Sequence, residues 1–196
     1  MLNLFSVPVY KDNVKGTSEE ILNTFNLLDS IWKDCDREVW AGETGKSTGQ
    51  KDLFLHERTE MNWIINAMYP HVLKYWDQNL KYNPTKILPV SSWANLHEDG
   101  DNTNEHSHSD GMNQAHVASV FYLEKEQGGD IEFCNPLDYI HRLTPRAIGL
   151  GDKILSETVA CSTGDFLLFP GWLRHRTTPA NGRRIAISIN FNGMFQ

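Results

Sequence analysis

The sequence predicts an α+β protein, a jelly-roll barrel with helices packed on its outside, and three observations point there. Apolar residues recur at helical spacing through the first half of the chain. From about Lys86 the pattern changes to short β-type runs. Those runs are separated by Gly, Pro, Asn and Asp at intervals that suit antiparallel pairing. A length of 196 residues, with 40% hydrophobic and 22% charged, suits one domain with a sizeable core. The expected division is a single domain over 1–196, with helical support over roughly 17–82 and a barrel core over roughly 86–192.

Taken in chain order, the segment MLNLFSVPVYKDN has no cationic leader and no small-residue cleavage pattern, so it reads as a first strand rather than a signal peptide. Thr17-Ser18-Glu19-Glu20 has the T-x-x-E spacing of a capping box and opens a helix. Ile21, Leu22, Phe25, Leu28, Ile31 and Trp32 form its apolar stripe. A second stripe, Met61, Ile64, Ile65, Met68, Val72 and Trp76, marks another helix, which Pro70 should kink or divide. Between them, Ala41 to Lys51 is rich in Gly, Ser and Thr and reads as a surface loop.

The β-type runs are ILPVSSWANL, HVASVFYLE, GDIEFC, KILSETVAC, DFLLFP and RRIAISINF. In the last of these, one parity carries Ile185, Ile187, Ile189 and Phe191, which suits packing against helices. The other carries Arg184, Ala186, Ser188 and Asn190, which suits the wall of a cavity holding a charged ligand. Alternation in the run around Tyr122 turns that phenol toward the same cavity.

Charge and cysteine content narrow the function classes. A formal charge of −7 and a pI near 5.6 argue against a nucleic-acid surface, which needs clustered Lys and Arg. No apolar run is long enough to span a membrane. Cys35, Cys134 and Cys161 are odd in number and lack any C-x-x-C pair, which fits reduced thiols in a cytoplasm. The sequence carries no signal for oligomeric state.

The chemistry concentrates in Asn104-Glu105-His106-Ser107-His108-Ser109-Asp110, where imidazoles and a carboxylate alternate and so project to one side of an extended chain. Two histidines and a carboxylate on one face of a ferrous ion leave the opposite positions open for an organic co-substrate and dioxygen. His175, after the apolar run DFLLFP and a short turn, is the candidate third ligand. The register is open between His108 with Asp110 and His106 with His108. An anionic ligand neutralises the ion better, which favours Asp110. The acidic stretch Asp99 to Thr103 lacks the Gly and Glu positions of a calcium loop and is not read as one. His56, His71, His97 and His141 read as solvated.

These pieces resemble the 2-oxoglutarate and Fe(II)-dependent dioxygenases, in the branch related to prolyl hydroxylases and in particular a bacterial and phage group. The matching segments are Trp93-Ala94-Asn95, the histidines at 106 to 110, SVFYLE, GGDIEF, GDFLLFPGWLRH and RIAISINF, in the family order. The resemblance implies a double-stranded β-helix of cupin-like type, with Fe(II) held by His175 and one proximal pair. The closest relatives often read H-x-H where the wider superfamily reads H-x-D, so both His106 with His108 and His108 with Asp110 fit it. On the charge of the ligand, His108, Asp110 and His175 are taken as the catalytic set. The resemblance further implies 2-oxoglutarate anchored by Arg184, nine residues after His175, whose planar fork suits a carboxylate. Tyr122, Ser188 and Asn95 are further candidates for hydrogen bonds to that co-substrate. Dioxygen would complete the set, and a small-molecule or peptidyl substrate would be hydroxylated with release of succinate and CO2.

A cupin-like barrel that binds or senses a metal or small molecule without turnover is the alternative, and a zinc hydrolase on a similar barrel is a third reading. Asn135 to Gly151, with Tyr139, His141, Arg142 and Arg146, is expected to form part of a lid, with Trp172 flanking the same mouth.

Overall fold

The capping box forms as the sequence predicts: Thr17 N–H donates to Glu20 Oε2 at 2.8 Å, and Thr17 Oγ1 accepts from Glu20 N–H at 3.3 Å. It starts α1 (Ser18–Trp32) in the computed structural model, which describes residues 6–37, 43–109, 114–137 and 155–195. Leu28 and Trp32 are buried, and Ile21, Phe25 and Ile31 pack against the same core. Leu22 differs from expectation and is 57% exposed. At about 100° per residue it sits roughly 120° around the helix from Leu28, off the buried stripe. Thr24 takes the place on that stripe, with its hydroxyl accepting from the Trp63 indole at 3.0 Å.

Helix α2 (Asn62–Tyr75) runs through Pro70 without dividing and passes into a π-helical turn, Trp76–Leu80. An interior proline costs about 3 kcal/mol through its lost N–H and ring clash. Here Ile64, Met68, Val72, Tyr75 and Trp76 are all buried on either side of it, and that packing outweighs the break.

The strands form two antiparallel sheets. The larger joins β1 (Tyr10–Asn13), β2 (Lys46–Ser47), β3 (Lys86–His97), β4 (Val117–Gly128), β7 (Asp165–Pro170) and β9 (Ala180–Met194) in the order β1-β7-β4-β9-β3-β2. The smaller joins β5 (Ile131–Cys134), β6 (Ser156–Val159) and β8 (His175–Thr177) in the order β6-β5-β8. Among the described residues the ladders do not close into a hydrogen-bonded barrel; two sheets stack face to face in the jelly-roll form.

The larger sheet is covered on both faces, which is why its strands read as apolar runs. Toward the helices it presents Phe121, Phe166, Ile185, Ile187, Ile189 and Phe191. Toward the smaller sheet it presents Ala118, Val120, Tyr122, Leu167, Phe169 and Ala186, packed with Ile131 and Phe133. The predicted parity of the last strand therefore holds: isoleucines face the helices, and Arg184, Ala186, Ser188 and Asn190 face inward. The segment expected as a surface loop is a structural edge instead. Lys46 and Ser47 pair with Leu96 and Asn95, and Thr48, fully buried, accepts the Ala94 N–H at 2.9 Å. Its small hydroxyl residues satisfy backbone groups at a sheet margin, a use that composition does not separate from loop chemistry.

The Phe121 ring meets Trp63 edge-on at 5.6 Å and so ties β4 to α2. Phe121→Ala is expected to lower stability in urea unfolding by about 3–5 kcal/mol. A loss under about 1 kcal/mol would contradict this packing.

Candidate active site

Four cross-strand positions build one wall of the site. Ser91, Trp93, Asn95 and His97 of β3 pair with Asn190, Ser188, Ala186 and Arg184 of β9. Val120 and Tyr122 of β4 pair with Ser188 and Ala186 from the other side. All therefore share the inner face.

The opposite wall is made where residues 103–108 run beside β8. His106 and His175 exchange both backbone hydrogen bonds, each 2.9 Å, and Thr103 N–H donates to Thr177 Oγ1 at 2.8 Å. His108 N–H donates to the Gly171 carbonyl at 2.8 Å. This pairing gathers three imidazoles: ring centroids lie 4.4 Å apart for His106 and His175, 5.1 Å for His108 and His175, and 5.3 Å for His106 and His108. One ring nitrogen from each lies within 4.8 Å of the others.

Each ring has its tautomer set by a carbonyl oxygen. His106 Nδ1–H donates to the Asn104 carbonyl at 2.8 Å, His175 Nδ1–H to the Leu173 carbonyl at 2.9 Å, and His108 Nδ1–H to Asn190 Oδ1 at 2.6 Å. Asn190 is held in turn through Nδ2–H to Ser91 Oγ at 3.0 Å. With Nδ1 used as donor, Nε2 carries the free lone pair, the arrangement typical of metal-ligating histidines. Burial pushes His108 down to about 4 and His175 well below its ordinary value, so both stay neutral and able to ligate.

Arg184 is 3% exposed and forms no ion pair among the described residues. Its guanidinium lies over the Tyr122 ring at 5.2 Å and donates from Nη1 to His97 Nδ1 at 3.3 Å. Its Nε and the Tyr122 hydroxyl are buried without a hydrogen-bond partner among the described residues. Burying such donors unpaired is costly, and a carboxylate would satisfy both. A cleft of about 830 Å³ opens beside this wall, lined in part by Lys46, Gln50, Trp93, Asn95, His97, His106, His108 and Asn190.

Of the residues singled out in the sequence, His108 and His175 converge with His106, and Arg184 and Tyr122 stand together. Asn95 lines the cleft, and Ser188 lies on the inner face beside Trp93. Asp110 lies outside the described residues, as do Tyr139, His141, Arg142 and Arg146. Trp172 is half exposed and does not line the cleft. His97, expected to be solvated, is 2% exposed against Arg184. His56 is held by the Ser92 hydroxyl at 2.8 Å. Sequence reasoning missed His97, although it shares the parity of Trp93 and Asn95, and it placed Asn190 on the cavity wall without its hydrogen bond to His108.

The family described as "Putative 2OG-Fe(II) oxygenase" matches residues 91–192, over half of the chain and inclusive of every residue of the two walls. The chain belongs to this family. This 2OG-Fe(II) oxygenase is an oxidising enzyme that takes iron and 2-oxoglutarate, with dioxygen as the oxidant. Three imidazoles, each with Nδ1–H tied to an oxygen and Nε2 turned to the others, fit a divalent iron, and the unpaired Arg184 Nε and Tyr122 hydroxyl fit a carboxylate.

Among curated proteins no relative matches the oxygenase in sequence. In fold it is similar to a prolyl-4-hydroxylase from Pseudomonas putida, at 12% identity and a TM-score of 0.63, covering 96% of this chain and 94% of that one. It is also similar to the viral collagen prolyl hydroxylase of Paramecium Bursaria Chlorella virus-1 in its 2OG complex, at 12% identity and a TM-score of 0.59, covering 95% and 96%. HygX from Streptomyces hygroscopicus, with nickel and 2-oxoglutarate bound, matches at 12% identity and a TM-score of 0.62, covering 96% and 83%.

Two outcomes follow. Asn190→Leu keeps the volume but leaves His108 Nδ1–H unpaired, and is expected to weaken metal affinity about 10- to 100-fold in a Co(II) titration; unchanged affinity would contradict the role given to Asn190. Burial together with the Arg184 charge pushes His97 down to about 3. In the metal-free protein, the unfolded chain then takes up protons at His97 and His108 that the native state refuses. Thermal stability is therefore expected to be full above about pH 6.5 and to fall as pH drops from there toward 4. His97→Asn should flatten part of that fall, and an identical profile would contradict it.

Proposed function

We propose that this oxygenase hydroxylates a small-molecule or peptidyl substrate, holding Fe(II) through His106, His108 and His175 and 2-oxoglutarate through Arg184. The observation that carries the reading is the convergence of three imidazoles, each with Nδ1–H tied to a carbonyl oxygen and Nε2 left free. A set of His108, Asp110 and His175 is the competing assignment and is separated by experiment below.

Bound iron supplies the coupling of 2-oxoglutarate decarboxylation to dioxygen activation, with one oxygen atom entering a substrate C–H bond and succinate and CO2 leaving. The chain's own residues prepare for this. His108 and His175 stay neutral through burial, so no proton has to leave them before they ligate. Phe169 packs edge-on against His175 at 4.8 Å and His108 at 6.1 Å, which keeps water from that side of the rings. Arg184 would receive the distal carboxylate, with the Tyr122 hydroxyl as a second donor and Asn95 and Ser188 bordering the same space. A ligand set made of imidazoles alone brings no negative charge to the ferrous ion, so the dianionic co-substrate would supply the balance.

A cleft of about 830 Å³ leaves room for a second molecule beside the co-substrate. Similar structures include a Trichoplax adhaerens prolyl hydroxylase with a hypoxia inducible factor peptide fragment and HygX with hygromycin B, so both substrate classes stand. The net acidic charge favours neither nucleic acid nor an anionic surface as partner. Three free cysteines support a reducing, cytoplasmic setting, and no helix of the described residues is long and apolar enough to cross a membrane. The joint core of α1, α2 and the larger sheet supports one domain over 1–196, with helical support over roughly 17–82 and the jelly roll over roughly 86–192. The cupin-like binding alternative leaves the family match and the unpaired Arg184 donor unexplained.

Anaerobic addition of Fe(II) and 2-oxoglutarate is expected to give a visible charge-transfer band, and admission of air to give succinate. Neither appearing would overturn the proposal. His175→Ala should abolish iron binding, and Arg184→Ala should spare iron while weakening the co-substrate. His106→Ala should lose iron where Asp110→Ala keeps it; the reverse pattern would replace His106 with Asp110 in the triad.

A further inference from the structure

Outside the metal triad stand the exposed aromatic pair of Tyr82 and Phe195, the Tyr10–Asp12–His71 cluster between β1 and α2, and the buried His97. Only His97 both touches a functional residue and lines the cleft.

We propose that His97 is a positioning residue that holds the Arg184 guanidinium ready for the distal carboxylate of 2-oxoglutarate, and so favours dicarboxylate over monocarboxylate 2-oxo acids. The proposal rests on the reading of Arg184 as the co-substrate anchor.

Register comes first. His97 and Arg184 are directly paired across β3 and β9, so their side chains leave the sheet on the same face. A guanidinium only donates, so the 3.3 Å contact from Arg184 Nη1 makes His97 Nδ1 an acceptor. The proton of the neutral ring then sits on Nε2, which donates to Thr103 Oγ1 at 3.3 Å. A protonated His97 would turn an N–H toward the guanidinium and lose the contact. Burial beside Arg184 keeps the ring neutral.

Packing closes the arrangement. The Tyr122 ring covers one side of the guanidinium at 5.2 Å. A Cβ at Gly129 would meet Arg184 Cδ at 2.5 Å, and a Cβ at Gly45 would meet His97 Cδ2 at 2.7 Å. Both glycines have positive φ, +60° and +108°, where other residues are strained. Backbone therefore presses directly on both side chains. A long Arg side chain ordinarily loses rotamer freedom when it captures an anion; held at Nη1, face and stem, this one loses it on folding instead. Its Nε stays buried and unpaired, a donor left for a ligand.

The test uses the protein loaded with Mn(II) as a non-turnover substitute, titrated calorimetrically with 2-oxoglutarate and with 2-oxobutanoate, which chelates a metal but has no distal carboxylate. His97→Phe keeps a ring and removes the acceptor; His97→Leu serves if the Phe variant does not fold. Either is expected to weaken 2-oxoglutarate about tenfold, the size of one hydrogen bond to a charged group, and to leave 2-oxobutanoate unchanged. His97→Asn, whose Oδ1 can stand where Nδ1 stood, is expected to recover most of the loss. The proposal is overturned if His97→Phe or His97→Leu binds 2-oxoglutarate like wild type while Arg184→Met does not. It is equally overturned if both 2-oxo acids weaken together, since that would report a general disturbance of the fold. Wild-type affinity in Arg184→Met would instead remove the anchor reading beneath it.

Discussion

The pair of backbone hydrogen bonds between His106 and His175 is the contact on which the site depends. It ties residues 103–108 alongside β8 through a single antiparallel bridge, with Thr103 and Thr177 closing the far end. Because side chains alternate along a strand, fixing His106 opposite His175 also sends His108 to the same side. One register decision thus gathers three rings from two distant parts of the sequence. A slip of one residue would turn Ser107 toward His175 and send both imidazoles away from it.

The larger sheet contributes the complementary half. Its inner face carries a guanidinium at one end and, further along β9, Asn190, which reaches across to orient His108. The His108 imidazole, held through Asn190, and the buried cation are thereby tied to one scaffold at different positions of the same inner face. The rigidity comes from the face turned the other way, where the β9 isoleucines and Phe121 pack on α1 and α2. Precision at the site and apolar burial behind it are two sides of the same strands.

Much of this was legible in the sequence. Alternation in RRIAISINF separates core from cavity without any tertiary information, and the capping box at Thr17 marks a helix start by local chemistry alone. The convergence of the His106–His108 segment with His175 was foreshadowed by their residue types, and Arg184 was singled out by the family resemblance. Other features were not legible because they arise only on assembly. Whether His106 or Asp110 joins His108 depends on which residue meets β8, a long-range register. His97 reads as an ordinary loop histidine until β3 is laid against β9 and Arg184 comes beside it. Pro70 reads as a helix breaker because local sequence does not include the core packed on both sides of it.

The central claim is that three histidines hold the metal while Arg184 holds the far end of the co-substrate. The most direct measurement is an electron-density map of crystals grown anaerobically with Fe(II) and 2-oxoglutarate. The account predicts iron on Nε2 of His106, His108 and His175, with the distal carboxylate on the Arg184 guanidinium. Iron ligated by Asp110 in place of His106, or a carboxylate bound away from Arg184, would contradict it.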